Sequence, residues 1–158
     1  KAKVFLTGCG AHTKGEKLLS ENRIHGVFGQ SEKENIDSFL SQDKPFYNPG
    51  DLNHIDKSVV DDFVDKSRAF IKVQEGCNFR CSYCIIPFVR GDARSMDETR
   101  IVEQISRLAL NGFGEFVLTG TNLGSYGQDT KTSLASLILV ARKVEPPLSG
   151  CNPFINRR

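Results

Sequence analysis

Two apolar runs, each followed by a segment with helical spacing, constrain the fold of this chain more than any other feature. The first run, 69–73, precedes apolar positions that recur at helical spacing over 96–110, where Gly112 then ends the predicted helix. The second run, 116–118, precedes a predicted helix over about 132–143. This strand–helix–strand–helix order predicts an α/β fold whose strands form a parallel sheet or barrel.

The first forty residues predict a smaller α/β unit. The expected elements are a strand over 3–8, a helix over about 14–22, a strand near 24–28 and a helix over about 32–41. Ser31 precedes the last of these helices and Glu34 follows three residues later, which is the pattern of a capping box. Strand and helix therefore alternate here as well.

Between these regions, over 42–66, apolar residues no longer recur at regular spacing, which predicts a domain boundary. Prolines, a glycine and several aspartates replace the periodic apolar residues. We therefore expect four parts: the remainder of a small N-terminal α/β domain (1–41), a linker (42–66), the first part of a second α/β domain (67–145) and an unassigned tail (146–158).

Composition limits the class of protein. The chain has 158 residues and a formal net charge of +2, which neither requires nor excludes a nucleic-acid partner. No apolar run reaches the ~18 residues of a membrane span, and no signal-peptide pattern is present, so we expect no membrane partner and a cytoplasmic location. The chain starts at Lys1 and its single methionine is Met96, from which we expect a fragment of a longer protein. From residue 67 only 92 residues remain, fewer than the ~200 of a full (β/α) barrel, so we expect the fragment to be inactive alone.

Three of the five cysteines lie within eight residues. Cys77, Cys81 and Cys84 form a C-x3-C-x2-C run on the predicted loop after the 69–73 strand. Three thiolates on one short loop can ligate three corners of an iron–sulfur cluster. Because no fourth cysteine is near, one iron would keep an open position for a substrate or cofactor. The spacing favours a catalytic cluster.

Other interpretations of these cysteines stay open. A structural zinc site, for example in an RNA-binding module, usually needs paired C-x2-C or C-x2-H elements; only one is present, which Cys151 or His54 could complete. A closed iron–sulfur electron carrier would take its fourth ligand from Cys9 or Cys151. The thiols could also be buried and inert.

The same run carries a resemblance to a known family. C-x3-C-x-aromatic-C after a strand resembles the signature of the radical S-adenosylmethionine (SAM) enzymes at every position. The resemblance implies that Cys77, Cys81 and Cys84 hold a [4Fe–4S] cluster, whose fourth iron is chelated by the amino and carboxylate groups of SAM. It also implies that Tyr83 lies beside the adenine, and that an electron from the cluster splits SAM into methionine and a 5′-deoxyadenosyl radical.

Residues next to the cysteine run indicate which group of radical SAM enzymes the chain resembles. Glu75-Gly76-Cys77-Asn78, Cys84-Ile85-Ile86-Pro87 and Arg90-Gly91 resemble the methylthiotransferases, which put a CH3–S group onto a tRNA base or a ribosomal protein. The resemblance covers about residues 1–140. It implies that 1–41 are the C-terminal part of the methylthiotransferase N-terminal domain, and that 67–145 are the first part of a radical SAM (β/α) partial barrel.

Two further binding sites rest on the resemblance. The segment 7–11 is similar to one in which a cysteine binds a second, auxiliary [4Fe–4S] cluster, which makes Cys9 one of its three ligands; the alternative is a buried turn residue. The segment 112–115 resembles one that meets the methionyl amine of SAM, which assigns Gly114 and Glu115 to cofactor binding. A helix end followed by an exposed strand end is the alternative for that segment.

The segment after the 116–118 strand bears on the substrate. Residues 119–127 resemble the tRNA-modifying branch. Within that branch, Cys-Ile-Ile-Pro at 84–87 and Leu-Thr-Gly at 118–120 resemble the enzymes that act on N6-threonylcarbamoyladenosine at position 37. We therefore expect methylthiolation of C2 of that base. The expected partners are the tRNA anticodon loop, SAM and an electron donor such as flavodoxin or ferredoxin. N6-isopentenyladenosine-37 and a ribosomal protein stay open as substrates, and no residue is assigned as catalytic.

Overall fold

The computed structural model describes residues 2–55, 60, 63 and 67–144. The chain divides into two compact units, Lys1–Asp56 with Gly76–Asp92 and Lys57–Glu75 with Ala93–Arg158, called the first and second unit below. None of the described helices is long and apolar enough to cross a membrane. The predicted tail over 146–158, including Cys151, lies outside the described residues.

The described helices and strands alternate along most of the chain, as expected for an α/β fold. Their order is β1 (Phe5–Leu6), α1 (Cys9–Ser20), β2 (Gly26–Phe28), α2 (Ile36–Leu40), β3 (Phe46–Asn48), β4 (Ala69–Glu75), α3 (Ile86–Arg90), β5 (Arg94–Ser95), α4 (Glu98–Leu110), β6 (Phe116–Gly120) and α5 (Leu134–Ala141). Two 3₁₀ helices, Gln30–Asn35 and Leu123–Ser125, complete the described elements.

The first unit contains a parallel sheet with the strand order β1-β2-β3. Helix α1 packs closely on the central strand, since a Cβ at Gly15 would lie 2.7 Å from the Cγ1 atom of Val27. The rings of Phe28, Phe39 and Phe46 stack in sequence, with centroids 5.3 and 5.0 Å apart. These buried aromatic contacts join β2, α2 and β3 into one core.

The first unit differs from the sequence-based expectations in three places. Phe46–Asn48 form a strand, although 42–66 were expected to be a linker, because the stacking of Phe46 and the pairing with β2 supply contacts that a local pattern does not reveal. Helix α1 begins at Cys9 rather than near residue 14. The expected capping box is wrong, because the Ser31 hydroxyl accepts a hydrogen bond from the amide of Asp51 and no side chain caps the helix there.

The second unit has a mixed sheet with the order β5-β4-β6. Strands β4 and β6 are parallel, in register from Ala69 opposite Phe116 to Ile71 opposite Leu118, whereas β5 is antiparallel to β4. The core of this unit consists of fully buried aliphatic side chains: Ile71, Val73, Ile101, Leu108 and Leu137. The predicted α/β fold is therefore confirmed, while the short β5 and α3 were not expected.

Asp129 ties the loop after β6 to β5 in the second unit. Its carboxylate accepts hydrogen bonds from the amide of Ser95 at 2.8 Å and from the Ser95 hydroxyl at 2.5 Å, and that hydroxyl in turn accepts one from the amide of Gly127. Burial disfavours the charged form of Asp129, but the hydrogen bonds from Ser95 and from the backbone amides of Asp129 and Thr130 together outweigh it and hold the pKa of this carboxyl below its ordinary value.

Because the pKa of Asp129 is lower in the folded state, its ionised form contributes stability above about pH 4, and this contribution is lost as the pH falls through the folded-state pKa. We therefore expect Asp129→Asn to lower the urea midpoint at neutral pH, and to make that midpoint less sensitive to acid. Urea unfolding at about pH 7 and about pH 3 measures both effects. An equal loss of stability at the two pH values would contradict the assignment.

Candidate metal centre

The cysteine loop follows β4 directly and belongs to the first unit. Residues 77–85 form neither helix nor strand, and the chain becomes helical at Ile86, with Pro87 in the first turn of α3. Cys77 and Cys84 are half-buried and Cys81 is exposed, and none of the three forms a disulfide. The three cysteines are thus presented on irregular backbone between a strand and a short helix.

Close backbone contacts join the two ends of this loop. The amide of Cys77 donates a hydrogen bond to the carbonyl of Gly91 at 3.1 Å. Gly76 has a φ of +72°, and a Cβ at this position would lie 1.9 Å from the carbonyl oxygen of Asp92. Only glycine can adopt this conformation without strain and also leave room for the opposing chain. The segment 77–92, which contains the cysteine loop and α3, is therefore closed where its two ends meet. We call this closure the loop base (Gly76, Cys77, Gly91 and Asp92).

The donor set of the loop fits an iron–sulfur cluster, since three thiols on one short segment are the ligands that such clusters take. In this conformation, no group of three or more His, Cys, Asp or Glu side chains within the described part of the chain is close enough to bind a metal ion. Residues 77–85, which carry the three thiols, form neither helix nor strand. The loop base meanwhile keeps its two ends together.

Cys9 lies at the first residue of α1 and is half-buried. Its Sγ atom accepts a hydrogen bond from Nε of Arg90 at 3.1 Å. Arg90 is the last residue of α3, so the first unit brings Cys9 next to the helix that follows the cysteine loop. The sequence singled out Arg90 only as part of a family motif, and its contact across 81 residues has no local signal.

The structure places the other expected site residues in different surroundings. Tyr83 is 91% exposed. Gly114 and Glu115 lie at the amino end of β6, where the Glu115 carbonyl accepts a hydrogen bond from Ala69 at the start of β4. Since β4 and β6 are parallel, this is the sheet edge opposite to the one from which the cysteine loop continues. The position favours the alternative interpretation, an exposed strand end after a helix stop.

Gly112 supports that alternative. It has a φ of +88° and its amide bonds the carbonyl of Ala109 at 3.0 Å, as expected just beyond a helix C-terminus. The Glu115 carboxylate lies 3.4 Å from Nε of Arg68, an ion pair in which both side chains are more than half exposed. A surface pair of this kind contributes little to stability.

At the carboxyl edge of the same sheet the sequence reasoning missed Gln74. Its side chain is buried, donates to the carbonyl of Glu75 at 2.8 Å, and accepts from the amide of Asn122 at 2.7 Å. Gly120 lies against it, since a Cβ there would be 2.9 Å from the Gln74 Cβ. Ligands of parallel sheets commonly bind at the carboxyl ends of strands, which makes this edge of the second unit a candidate ligand position.

We expect Gln74→Met to destabilise the second unit by about 1–3 kcal/mol, because the substitution keeps the volume but removes both hydrogen bonds of a buried side chain. Urea unfolding measures the change in the free energy of unfolding. Gln128→Met serves as the matched control, since Gln128 is exposed. Equal stability of the two variants would show that the bridge between β4 and Asn122 is energetically unimportant.

Comparison with known proteins agrees with this geometry. The family model of the radical SAM superfamily matches residues 71–142, which include β4 from Ile71 onward, the cysteine loop and the elements α3 through α5. A protein of Helicobacter pylori (strain J99), provisionally named a methylthiotransferase, is 50% identical over 137 residues, 85% of this chain and 33% of that protein. Residues 71–142 therefore carry a radical SAM domain.

Two further relatives carry more specific names. Threonylcarbamoyladenosine tRNA methylthiotransferase MtaB of Rickettsia prowazekii is 35% identical over 92% of this chain and 36% of its own length. Ribosomal protein uS12 methylthiotransferase RimO of Prochlorococcus marinus is 33% identical over 91% of this chain and 34% of its own length. The relatives that the chain matches over 85–92% of its own length are thus named as methylthiotransferases. It spans about a third of the length of these curated relatives.

Proposed function

We propose that the protein is a tRNA methylthiotransferase that adds a methylthio group to C2 of N6-threonylcarbamoyladenosine at position 37. The observation that carries the proposal is the C-x3-C-x2-C loop, which follows β4 directly and is closed at its base, within the region that matches the radical SAM family. Several relatives named for this tRNA substrate, at 34–38% identity, support the choice of branch.

In this proposal Cys77, Cys81 and Cys84 ligate a [4Fe–4S] cluster and leave one iron open for SAM. The cluster with SAM supplies the 5′-deoxyadenosyl radical, which can take hydrogen from a carbon that no base deprotonates at neutral pH. The chain supplies the three thiolates and the backbone that spaces them. Tyr83, exposed on the same loop, is free to stack against an adenine ring.

Cys9 is proposed as one ligand of an auxiliary [4Fe–4S] cluster. The guanidinium of Arg90 donates to its sulfur, and a hydrogen bond of this kind orients a ligand sulfur. The proposed partners are the tRNA anticodon loop, whose unstacked bases are accessible, and an electron donor such as flavodoxin or ferredoxin.

A ribosomal protein is the second candidate substrate. The Prochlorococcus marinus relative named for ribosomal protein uS12 has nearly the same identity to this chain as the relatives named for tRNA. Because this chain is expected to be inactive alone, the assay uses the longer protein that contains it. Incubating that protein, after reconstitution, with SAM, a reductant and either tRNA bearing N6-threonylcarbamoyladenosine or ribosomal protein uS12 distinguishes the two. Mass spectrometry of the products identifies which one gains the methylthio group.

The experiment that tests the proposed cofactors is anaerobic reconstitution with iron and sulfide, followed by electron paramagnetic resonance of the reduced protein. We expect a [4Fe–4S] signal that changes when SAM is added, because SAM binds the open iron. A colourless protein that holds zinc, or a cluster that does not respond to SAM, would contradict the proposal.

A further inference from the structure

Arg80 makes contacts that join the middle of the cysteine loop to its base. Its Nη1 atom donates to the carbonyl oxygen of Cys77 at 2.9 Å, and its Nη2 atom donates to Oδ1 of Asp92 at 2.5 Å. All three residues belong to the first unit. The guanidinium of Arg80 thus bridges Cys77, the first cysteine of the run, and Asp92 of the loop base.

We infer that Arg80 is a positioning residue for the iron–sulfur ligands, an inference that rests on the proposed function of the cysteine loop. Arg80 directly precedes Cys81 in the sequence and lies three residues after Cys77. Its two hydrogen bonds restrict the backbone between these two ligands before any cluster is bound. The neighbouring backbone bond from Cys77 to Gly91 restrains the same end of the loop.

The geometry explains why arginine suits this position. The side chains of Arg80 and Asp92 are 54% and 67% exposed, and an ion pair at such a surface contributes little by itself. Here the planar guanidinium holds two acceptors at once through separate nitrogens, a fork that the single ammonium of lysine does not reproduce. We therefore expect Arg80 to affect the spacing of the cysteine ligands more than the free energy of unfolding.

The consequence is a prediction about cluster retention. Residues that orient metal ligands without touching the metal typically change metal affinity by 10–100-fold when they are replaced. We expect Arg80→Ala to accelerate the loss of iron to a chelator about tenfold and to weaken the response of the cluster signal to SAM. Arg80→Lys and Asp92→Ala each remove one arm of the fork and should fall between wild type and Arg80→Ala.

Arg107→Ala is the matched control. Arg107 forms an ion pair with Glu103 at 2.9 Å on α4, with side chains 50% and 52% exposed, so it resembles the Arg80–Asp92 pair in chemistry and exposure but lies on a helix outside the cysteine loop. This variant should retain its cluster and its SAM response like wild type.

Two measurements on the whole chain test the inference. Amide hydrogen exchange of the cluster-free protein, read over 77–92, should be faster in Arg80→Ala than in wild type and Arg107→Ala. Chelator-driven iron loss and the SAM-dependent resonance signal are then compared after reconstitution. The unfolding midpoint of each variant checks that the fold is intact.

Each outcome has a definite meaning. Faster exchange together with faster iron loss and a weaker SAM response in Arg80→Ala supports the inference. Faster exchange with unchanged iron loss overturns it, because Arg80 would then stabilise the loop without positioning the ligands. Unchanged exchange also overturns it. If wild-type protein binds no cluster, the proposed function fails, and the inference fails with it.

Discussion

Replacing any one of Cys77, Cys81 and Cys84 by alanine is expected to abolish the SAM-responsive [4Fe–4S] signal of the reconstituted protein. A cluster held by two thiolates on an irregular loop has too few ligands to persist in the presence of a chelator. Iron and sulfide content, together with the resonance spectrum with and without SAM, measures the effect. We expect the three variants to fold like wild type, because none of the three thiols is fully buried.

Cys151→Ala is the control for this series, and it also tests the electron-carrier alternative. If the cluster is open to SAM, Cys151→Ala and Cys9→Ala both keep the SAM-responsive signal, because neither residue belongs to the C-x3-C-x2-C run. Loss of the cluster itself in either variant, measured as iron and sulfide content, would identify a fourth ligand. The cluster would then be a closed electron carrier, and the proposed chemistry would be wrong.

Gly76→Ala is expected to disrupt the loop base and to prevent the cysteine loop from holding a cluster. At a φ of +72° a residue with a Cβ is strained, and this Cβ would lie 1.9 Å from the carbonyl oxygen of Asp92 and 2.8 Å from that of Gly91. Both opposing atoms are backbone, so they cannot move aside by a change of rotamer. The combined cost is about 2–4 kcal/mol, measured as the loss in free energy of unfolding.

The control for this prediction is Gly124→Ala. Gly124 is an exposed glycine, and the nearest atom to its added Cβ would be 3.5 Å away, an ordinary contact distance. We expect this variant to keep both its stability and its cluster. If Gly76→Ala also retained the cluster and the stability of wild type, the close approach at the loop base would be unimportant for metal binding.

Local sequence patterns predicted the elements that carry a strong periodic signal. Helix α4 was expected over 96–110 and spans Glu98–Leu110, capped by the side chain of Asp97. Helix α5 was expected over about 132–143 and spans Leu134–Ala141, with the side chain of Ser133 as its cap. Periodicity succeeds here because one face of each helix buries aliphatic side chains such as Ile101 and Leu137.

Local sequence patterns did not predict the elements whose conformation depends on contacts with distant residues. Strand β3 has only three residues, and its sequence does not alternate between apolar and polar side chains. It forms because Phe46 stacks on Phe39 and because the strand pairs with β2. The polar start of α1 carries no apolar stripe, yet Ala11 in its first turn is fully buried. Short elements of this kind depend on tertiary contacts more than on their own propensities.

The sequence by itself determined the donor set of the candidate metal centre, because the order and spacing of Cys77, Cys81 and Cys84 are properties of the covalent chain. Only the tertiary structure decided which residues from distant parts of the sequence lie together. It brought Arg90 to the sulfur of Cys9, closed Gly76 against Asp92, and placed Glu115 at the far edge of the sheet. Such contacts join residues that are distant in the sequence, and they form only because burying the two apolar cores brings the chain together.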